Sequence, residues 1–281
     1  MSGTLSKKQM TETLMKIRPI EEYALTVETM YRFTVILILQ FTHASDQIRE
    51  TIIRNFIARG MICLQSILQL WVFGNTSDCW ILYRALIDRL FCLRTLAEKD
   101  EFEKFEKWSF MQQYEALNRV RSDPIFSVKA DKKSLAPTKE NKERYLKLKK
   151  DNIEWIRPKA ETVADKSFGM PYLYSYGYDY ASMYVHPMAN DGENDYLRII
   201  QDKTSTKDHI VVVHNSILIQ TMLIQEGLKA SNFLWRAIVN NFLDQCRYSL
   251  ETGSQDHLET FAKLINAGPK YVWYQQKPNN C

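Results

Sequence analysis

The stretch IRETIIRNFIARGMICLQSILQLWVF, residues 48–73, contains one glycine and no proline, and it predicts a single long helix. Ser45-Asp46-Gln47 supplies a polar N-cap before it, and Gly74-Asn75 closes it. The apolar run at its end, Met61–Phe73, is interrupted by two glutamines and falls short of the roughly 20 residues that span a bilayer. We therefore interpret the stretch as the core helix of a soluble protein.

More helices of the same kind are expected on both sides. The 281-residue chain is 45% hydrophobic, which is enough for a sizeable core, but its 9 glycines and 8 prolines are too few for the turns of an all-β fold. Long amphipathic helices with short connections indicate an all-α antiparallel helical bundle. Ser77-Asp78 is the expected cap of the helix that follows residues 48–73. Outside residues 48–73, the predicted helices cover about 20–44, 79–97, 100–120, 139–155, 209–228, 231–250 and 255–265.

The domain organisation follows from the breaks between these helices. Residues 1–18 form a charged lead-in, residues 19–268 a single bundle, and residues 269–281 an irregular tail. An insertion at about 122–170 is expected to protrude from the bundle.

This insertion carries a concentration of positive charge. Between Lys129 and Lys150 there are nine Lys or Arg and three acids, a balance of +6, whereas the whole chain has a net charge of +4. One interpretation is a solvated, partly disordered helix and loop, and the other is a surface that follows the phosphates of a nucleic acid. On the second interpretation the binding residues are Lys139, Lys142, Arg144, Lys147, Lys149 and Lys150.

The cysteines and the N-terminus indicate the compartment. Five cysteines without a C-x-x-C pair form neither a zinc knuckle nor a disulfide framework, so a reducing cytoplasm fits best. The first residues lack the apolar stretch of a signal peptide, and no transmembrane segment is expected. The sequence thus predicts a cytoplasmic protein without membrane contact.

A tyrosine-rich segment, YLYSYGYDYASMYVHP at residues 172–187, is the first candidate for chemistry. If Gly177–Val185 is helical, Tyr178, Ser182 and His186 lie on one face, at positions i, i+4 and i+8. Pro187 restricts His186 to an extended backbone, so the helix should end there and present the imidazole outward. The alternative is a structural role, in which His186 ends the helix and forms a hydrogen bond with a carbonyl or a tyrosine hydroxyl.

The second candidate lies on the helix predicted at 79–97, in the sequence YRALIDR at residues 83–89. Arg84 and Asp88 are i, i+4 neighbours on a strongly apolar helix, where Asp88 could orient the guanidinium. This is either an ordinary ion pair within the helix or a fixed receptor for an anion across the bundle.

Together these two motifs resemble an uncharacterised bacterial helical family, the domain of unknown function 5677. Its members show Arg-x-x-x-Glu, here Arg84 with Asp88 in place of the Glu, and a Ser-x-Tyr-x-His-Pro motif, here Ser182, Tyr184, His186 and Pro187. The likeness covers roughly residues 50–230, and some members occur near mobile elements and defence genes. It implies a role in bacterial defence or as a toxin.

That family in turn distantly resembles the HEPN class of helical bundles, many of which are metal-independent ribonucleases that act as homodimers. HEPN enzymes carry an Arg four to six residues before a His; this chain has none before His186, and Arg84 from another helix would replace it. The resemblance implies RNA or a nucleotide as ligand, no cofactor and no metal. The catalytic set would be His186, Arg84, Ser182 and Tyr184, supported by Asp88, Tyr178 and Tyr180.

Two other classes of function stay open. In the first, the Arg–Asp–Ser–His cluster belongs to a non-enzymatic module that binds a protein partner of a defence system or a nucleotide-like anion. In the second, His186 binds a divalent ion together with Asp191, Glu193 or Asp195, although the chain has no H-x-x-x-H or H-E-x-x-H motif. Neither phosphate-binding loop motif, G-x-x-x-x-G-K-[ST] or G-x-G-x-x-G, occurs.

Overall fold

The computed structural model describes residues 19–43, 47–125, 136–189, 192–201, 210–233 and 235–266. This part of the chain has an all-α fold, as predicted, and contains no strand. The helices of the core are α1 (Ile20–His43), α2 (Ile48–Val72), α3 (Thr76–Lys99), α9 (Ile210–Ala230), α10 (Arg236–Thr252) and α11 (Asp256–Asn266). Between α3 and α9 lie α4 (Phe102–Ser122), α5 (Lys139–Lys150), α6 (Ala160–Thr162), π-helical segments Val163–Ser167 and Leu173–Asp179, α7 (Tyr180–Ser182) and α8 (Glu193–Gln201).

The centre of the bundle is formed by α2, α3 and α9, which pack against one another. Helix α9 runs antiparallel to α2, because Gly60 lies against Gln220 and Leu223 while Gly227 lies against Ile53 and Ile57. Its side chains are buried almost all round, which is typical of a helix inside a core rather than at its edge.

The ends of the helices follow local chemistry. Asp100 closes α3 in the left-handed conformation, with φ 54°, and Gly253 closes α10 in the same way, with φ 77°. The prediction that Ser77-Asp78 caps α3 is wrong by two to three residues: the N-cap residue is Asn75, and Ser77 and Asp78 lie inside the first turn. At α2 the N-cap residue is Gln47, whose side chain makes no capping hydrogen bond, and Ser45 and Asp46 lie outside the described residues.

The described part of the predicted insertion is anchored to the bundle. Helix α5 packs on α4, where Tyr145 stacks on Tyr114 at 4.3 Å between ring centroids. Behind α5, Trp155 is buried between Phe105 and Trp108, at 4.8 and 5.0 Å. Aromatic burial therefore holds this segment against α4.

Helix α1 is the one described helix that is long and apolar enough to cross a membrane, over Ile20–Phe41, judged by length and composition alone. Its inner side is part of the core: Phe33 meets Phe242 of α10, and Phe41 stacks on Phe233. Core helices of soluble proteins pass the same test, so this is weak evidence for a membrane. The cytoplasmic location stays a prediction.

The cysteines of the described chain are free thiols. Cys63, Cys79 and Cys246 are buried and Cys92 is half-buried, while Cys281 lies outside the described residues. Burial raises the pKa of Cys79 and of Cys92 to about 12, so these thiols stay protonated at neutral pH. They serve as small hydrophobic side chains.

Candidate functional site: the Arg84 cluster

The two sequence motifs meet in space, because the tyrosine-rich segment packs antiparallel against α3. The ring centroids of Phe91 and Tyr178 are 6.0 Å apart, and those of Trp80 and Tyr184 are 5.9 Å apart. The later residue of α3 thus meets the earlier residue of the tyrosine-rich segment, which is an antiparallel arrangement. Gly177 permits this approach: a Cβ there would lie 3.1 Å from Cδ1 of Ile87. The shared face of Tyr178, Ser182 and His186 was conditional on a helix from Gly177 to Val185. The backbone is instead π-helical up to Asp179 and α-helical over Tyr180–Ser182.

Arg84 is held at the centre of the site by three contacts. Its Nε donates a hydrogen bond of 2.9 Å to Oγ of Ser182, and its Nη1 forms an ion pair with Asp88. The guanidinium also lies over the Tyr178 ring, 3.2 Å from the centroid, as in a cation–π contact. We call Arg84, Asp88, Tyr178 and Ser182 the Arg84 cluster.

The fixed position of Arg84 leaves part of its guanidinium available. The side chain of Arg84 is 16% exposed, and Nη2 has no hydrogen-bond acceptor among the described residues. Ser182 completes the clamp, since its hydroxyl donates to the carbonyl of Tyr178 at 2.7 Å while it accepts from Arg84. The cluster therefore holds the guanidinium in one orientation while the Arg84 side chain keeps a small exposed fraction.

His186 lies one turn beyond Ser182 and is exposed. Its backbone N–H donates a hydrogen bond of 3.3 Å to the carbonyl of Ser182, after turns in which Met183, Tyr184 and Val185 each bond the carbonyl three residues before. The His186 ring makes no hydrogen bond to any described residue, and none joins it to Arg84. The imidazole is thus next to the Arg84 cluster along the segment and free to meet a ligand from solvent.

Tyr180 and Tyr184 form a separate pair that packs against α3 at Trp80. Their hydroxyls share a hydrogen bond of 3.1 Å, and both rings contact Trp80. Burial, and then the bond to Tyr180, raise the pKa of Tyr184, so its hydroxyl stays protonated at neutral pH. Their contacts to Trp80 and to each other do not include Arg84, so Tyr184, which the sequence placed among the catalytic residues, belongs to this pair.

Two residues of this region were missed by sequence reasoning. Trp80 lies one turn before Arg84 on α3, and its i−4 spacing was the signal that could have found it. No sequence pattern points to Arg157, the second of these residues. Its positive charge lowers the pKa of the nearby Tyr178 hydroxyl, but burial and then the charge of Asp88 raise that pKa by more. The net shift for Tyr178 is upward.

The lysine-rich helix α5 is not part of the Arg84 cluster. Arg144 is committed to α4, where it forms an ion pair with Glu106 at 2.5 Å and lies over the Phe110 ring at 4.2 Å. Nζ of Lys139 lies 3.9 Å from Oε1 of Glu143, and Nζ of Lys149 lies over the ring of Tyr145. The remaining predicted nucleic-acid contacts, Lys142, Lys147 and Lys150, are exposed.

The part of the chain that the structure describes holds no group of three or more His, Cys, Asp or Glu residues suited to a metal ion. Of the carboxylates considered beside His186, Asp191 lies outside the described residues, and Glu193 and Asp195 lie in the first turn of α8. We therefore derive no metal chemistry at this site.

Residues 50–204, more than half of the chain, match a family of unknown function, DUF5677. The chain belongs to this family. The DUF5677 match contains both motifs, whereas α1 and α9–α11 lie outside it. No curated protein and no solved structure matches the chain.

Proposed function

We propose that this DUF5677 protein is a metal-independent endoribonuclease of bacterial defence or of toxin type, related to the HEPN class and active as a homodimer. The observation that carries the proposal is the hydrogen bond between Arg84 and Ser182, 2.9 Å long, which joins the two motifs. Ser182, which holds Arg84, lies one turn before His186, whose exposed imidazole has no hydrogen-bond partner among the described residues.

The reaction would be transphosphorylation of RNA. The ribose 2′-oxygen attacks phosphorus and loses its proton, the bond from phosphorus to the 5′-oxygen breaks, and that oxygen gains a proton. The products are a 2′,3′-cyclic phosphate and a 5′-hydroxyl. His186 would perform one of these proton transfers, and water would perform the other.

The Arg84 cluster would stabilise the charge that develops on the phosphorane. Arg84 has Nη2 available for a phosphoryl oxygen, and the contacts to Asp88, Ser182 and Tyr178 keep the guanidinium in place. The exposed lysines of α5, Lys142, Lys147 and Lys150, would attract RNA electrostatically.

The test is cleavage of single-stranded RNA by the purified protein in the presence of EDTA. Replacing His186 by Ala should lower the rate by about 10²–10⁴-fold, the usual contribution of a general acid or base, with no change in thermal stability. The matched control is Ser175→Ala, an exposed position on the same segment, which should keep full activity. Equal cleavage rates and cell toxicity for wild type and His186→Ala would remove the proposal.

A second candidate is a non-enzymatic module that binds a protein partner of a defence system or a nucleotide-like anion. Two contacts of Arg84 favour this alternative: its ion pair with Asp88 and the Tyr178 ring that lies over its guanidinium. A cation with such partners can also serve to fix the register of the packed helices. On this alternative RNA stays intact, while Ser182→Ala lowers the free energy of unfolding by about 1–3 kcal/mol. Calorimetry of wild type and variant measures that loss.

A further inference from the structure

We propose that the outer face of α1 is a docking surface for α1 of a second copy of this chain, with the two helices antiparallel about a two-fold axis. The proposal concerns a helix outside the DUF5677 match and does not depend on Arg84 or His186. The outer face consists of six exposed residues, Glu21, Leu25, Glu28, Arg32, Val35 and Leu39.

Half of this face is apolar. Leu25, Val35 and Leu39 are 37%, 41% and 53% exposed, although they sit on a helix whose opposite side is fully buried. After Arg32 the helix contains no Asp, Glu, Lys or Arg up to its last residue, His43. A water-facing helix normally carries charges at such positions, so this outer half leaves apolar area that a partner would cover.

The spacing of the outer face is that of a helix-pairing seam. Its residues follow one another at intervals of four, three, four, three and four, an alternation that gives the 3.5-residue repeat of paired helices. Three half-buried side chains, Tyr31, Ile36 and Ile38, flank the seam and would widen the contact.

The seam is complementary to itself when one copy is reversed. With the two-fold axis at Met30, Glu28 of one copy faces Arg32 of the other, and Leu25 faces Val35. In the single copy, Arg32 bonds Glu28 at 2.8 Å within the helix, and both side chains are half exposed or more. Their charges are therefore available for a second pair across the axis, and a parallel arrangement would set like charges against each other.

The size of the surface predicts a weak dimer. Glu21 and Leu39 are 18 residues apart on the helix, which at about 1.5 Å per residue gives a contact about 27 Å long. A two-helix contact of this length lies at the small end of specific interfaces, so dimerisation should depend on concentration in the micromolar range, about 10⁻⁶ M.

The test exchanges the charges across the axis, with sedimentation velocity of the full chain as the measurement. In Glu28→Arg, the arginines at positions 28 and 32 of one copy face those of the other, and in Arg32→Glu the glutamates at these positions do so. Because like charges repel, each variant should dimerise at least about tenfold more weakly than wild type. An equimolar mixture of the two variants restores every opposite-charge pair and should form heterodimers. Loss of the bond inside one helix cannot produce this rescue in trans.

The control is Glu259→Arg on α11, which breaks the equally spaced and exposed pair with Lys263 and should leave dimerisation unchanged. Thermal unfolding of each variant shows that the exposed substitutions leave the fold intact. Wild type that is monomeric at every concentration, single variants that still dimerise like wild type, or a mixture without heterodimers would each overturn the proposal. So would a monomeric wild type that binds vesicles of phosphatidylcholine and phosphatidylglycerol through α1.

Discussion

At the residue scale, the buried histidines differ in how their ring nitrogens are satisfied. Nδ1 of His214 shares a hydrogen bond of 3.2 Å with the hydroxyl of Tyr23. His257 is 2% exposed, and neither of its ring nitrogens has a partner among the described residues. It lines a cavity of about 10 Å³, room for a single water, together with Glu22, whose Oε2 also lacks a partner there. Burial lowers the pKa of His257, although Asp256 acts in the opposite direction.

This environment predicts a pH-dependent stability. Because the folded pKa of His257 lies below the ordinary value of 6.5, the unfolded chain binds the proton first, so stability is complete above pH 6.5 and falls as the pH decreases. The slope from one histidine is at most about 1.4 kcal/mol per pH unit. His257→Gln should flatten the curve of unfolding free energy between about pH 7 and pH 5. Lys263→Ala, at an exposed position on the same helix, serves as the control, and identical curves for wild type and His257→Gln would contradict the assignment.

At the element scale, the contact between α2 and α9 depends on small residues. A Cβ on Gly60 would lie 2.3 Å from Oε1 of Gln220 and 2.7 Å from Cδ2 of Leu223, which are distances that packed atoms do not adopt. Gln220 is itself fully buried and donates to the carbonyl of Ile57 at 3.2 Å. The two helix axes are therefore brought close by a glycine facing a buried amide.

Gly60→Ala should destabilise the protein by about 1–3 kcal/mol, since overpacking outweighs the helix propensity of alanine, which favours the substitution by at most about 1 kcal/mol. The measurement is urea unfolding followed by circular dichroism. In the double variant with Gln220→Ala the nearest clash is removed, so its loss of stability should be smaller than the sum of the two single losses. Strict additivity would show that the close contact carries no energy.

At the scale of the whole molecule, the family segment does not contain its own core. Residues 50–204 include α3 and nearly all of α2, but α9, which packs against both, begins at Ile210. Ile217, Leu223 and Ile224 of α9 are fully buried. At about 1.5–3 kcal/mol for each such side chain, these three contribute about 4.5–9 kcal/mol, which is comparable with the lower part of the typical net stability of about 5–15 kcal/mol.

A fragment of residues 48–204 should therefore fail to fold. We expect circular dichroism to show reduced helicity without a cooperative thermal transition, whereas the full-length chain unfolds cooperatively. A cooperative transition in the fragment would mean that α9 is dispensable for the core.

The sequence by itself determined that the long helices form, and it contained the two motifs. The apolar periodicity of residues 48–73 and the scarcity of glycine and proline require long helices, and the predicted ends of α1, α2 and α9 fall within two residues of those observed. The i, i+4 spacing likewise determined that Arg84 and Asp88 share a face.

Only the tertiary structure decided what Arg84 contacts. Ser182 and Tyr178 lie more than 90 residues away in the chain, and no local pattern specifies a hydrogen bond or a ring contact over that separation. The π-helical turns before Tyr180, the burial of Trp155 against α4 and the place of Arg157 beside Tyr178 were equally beyond reach. Each depends on how helices pack, since packing selects among conformations that are nearly equal in energy for the isolated segment.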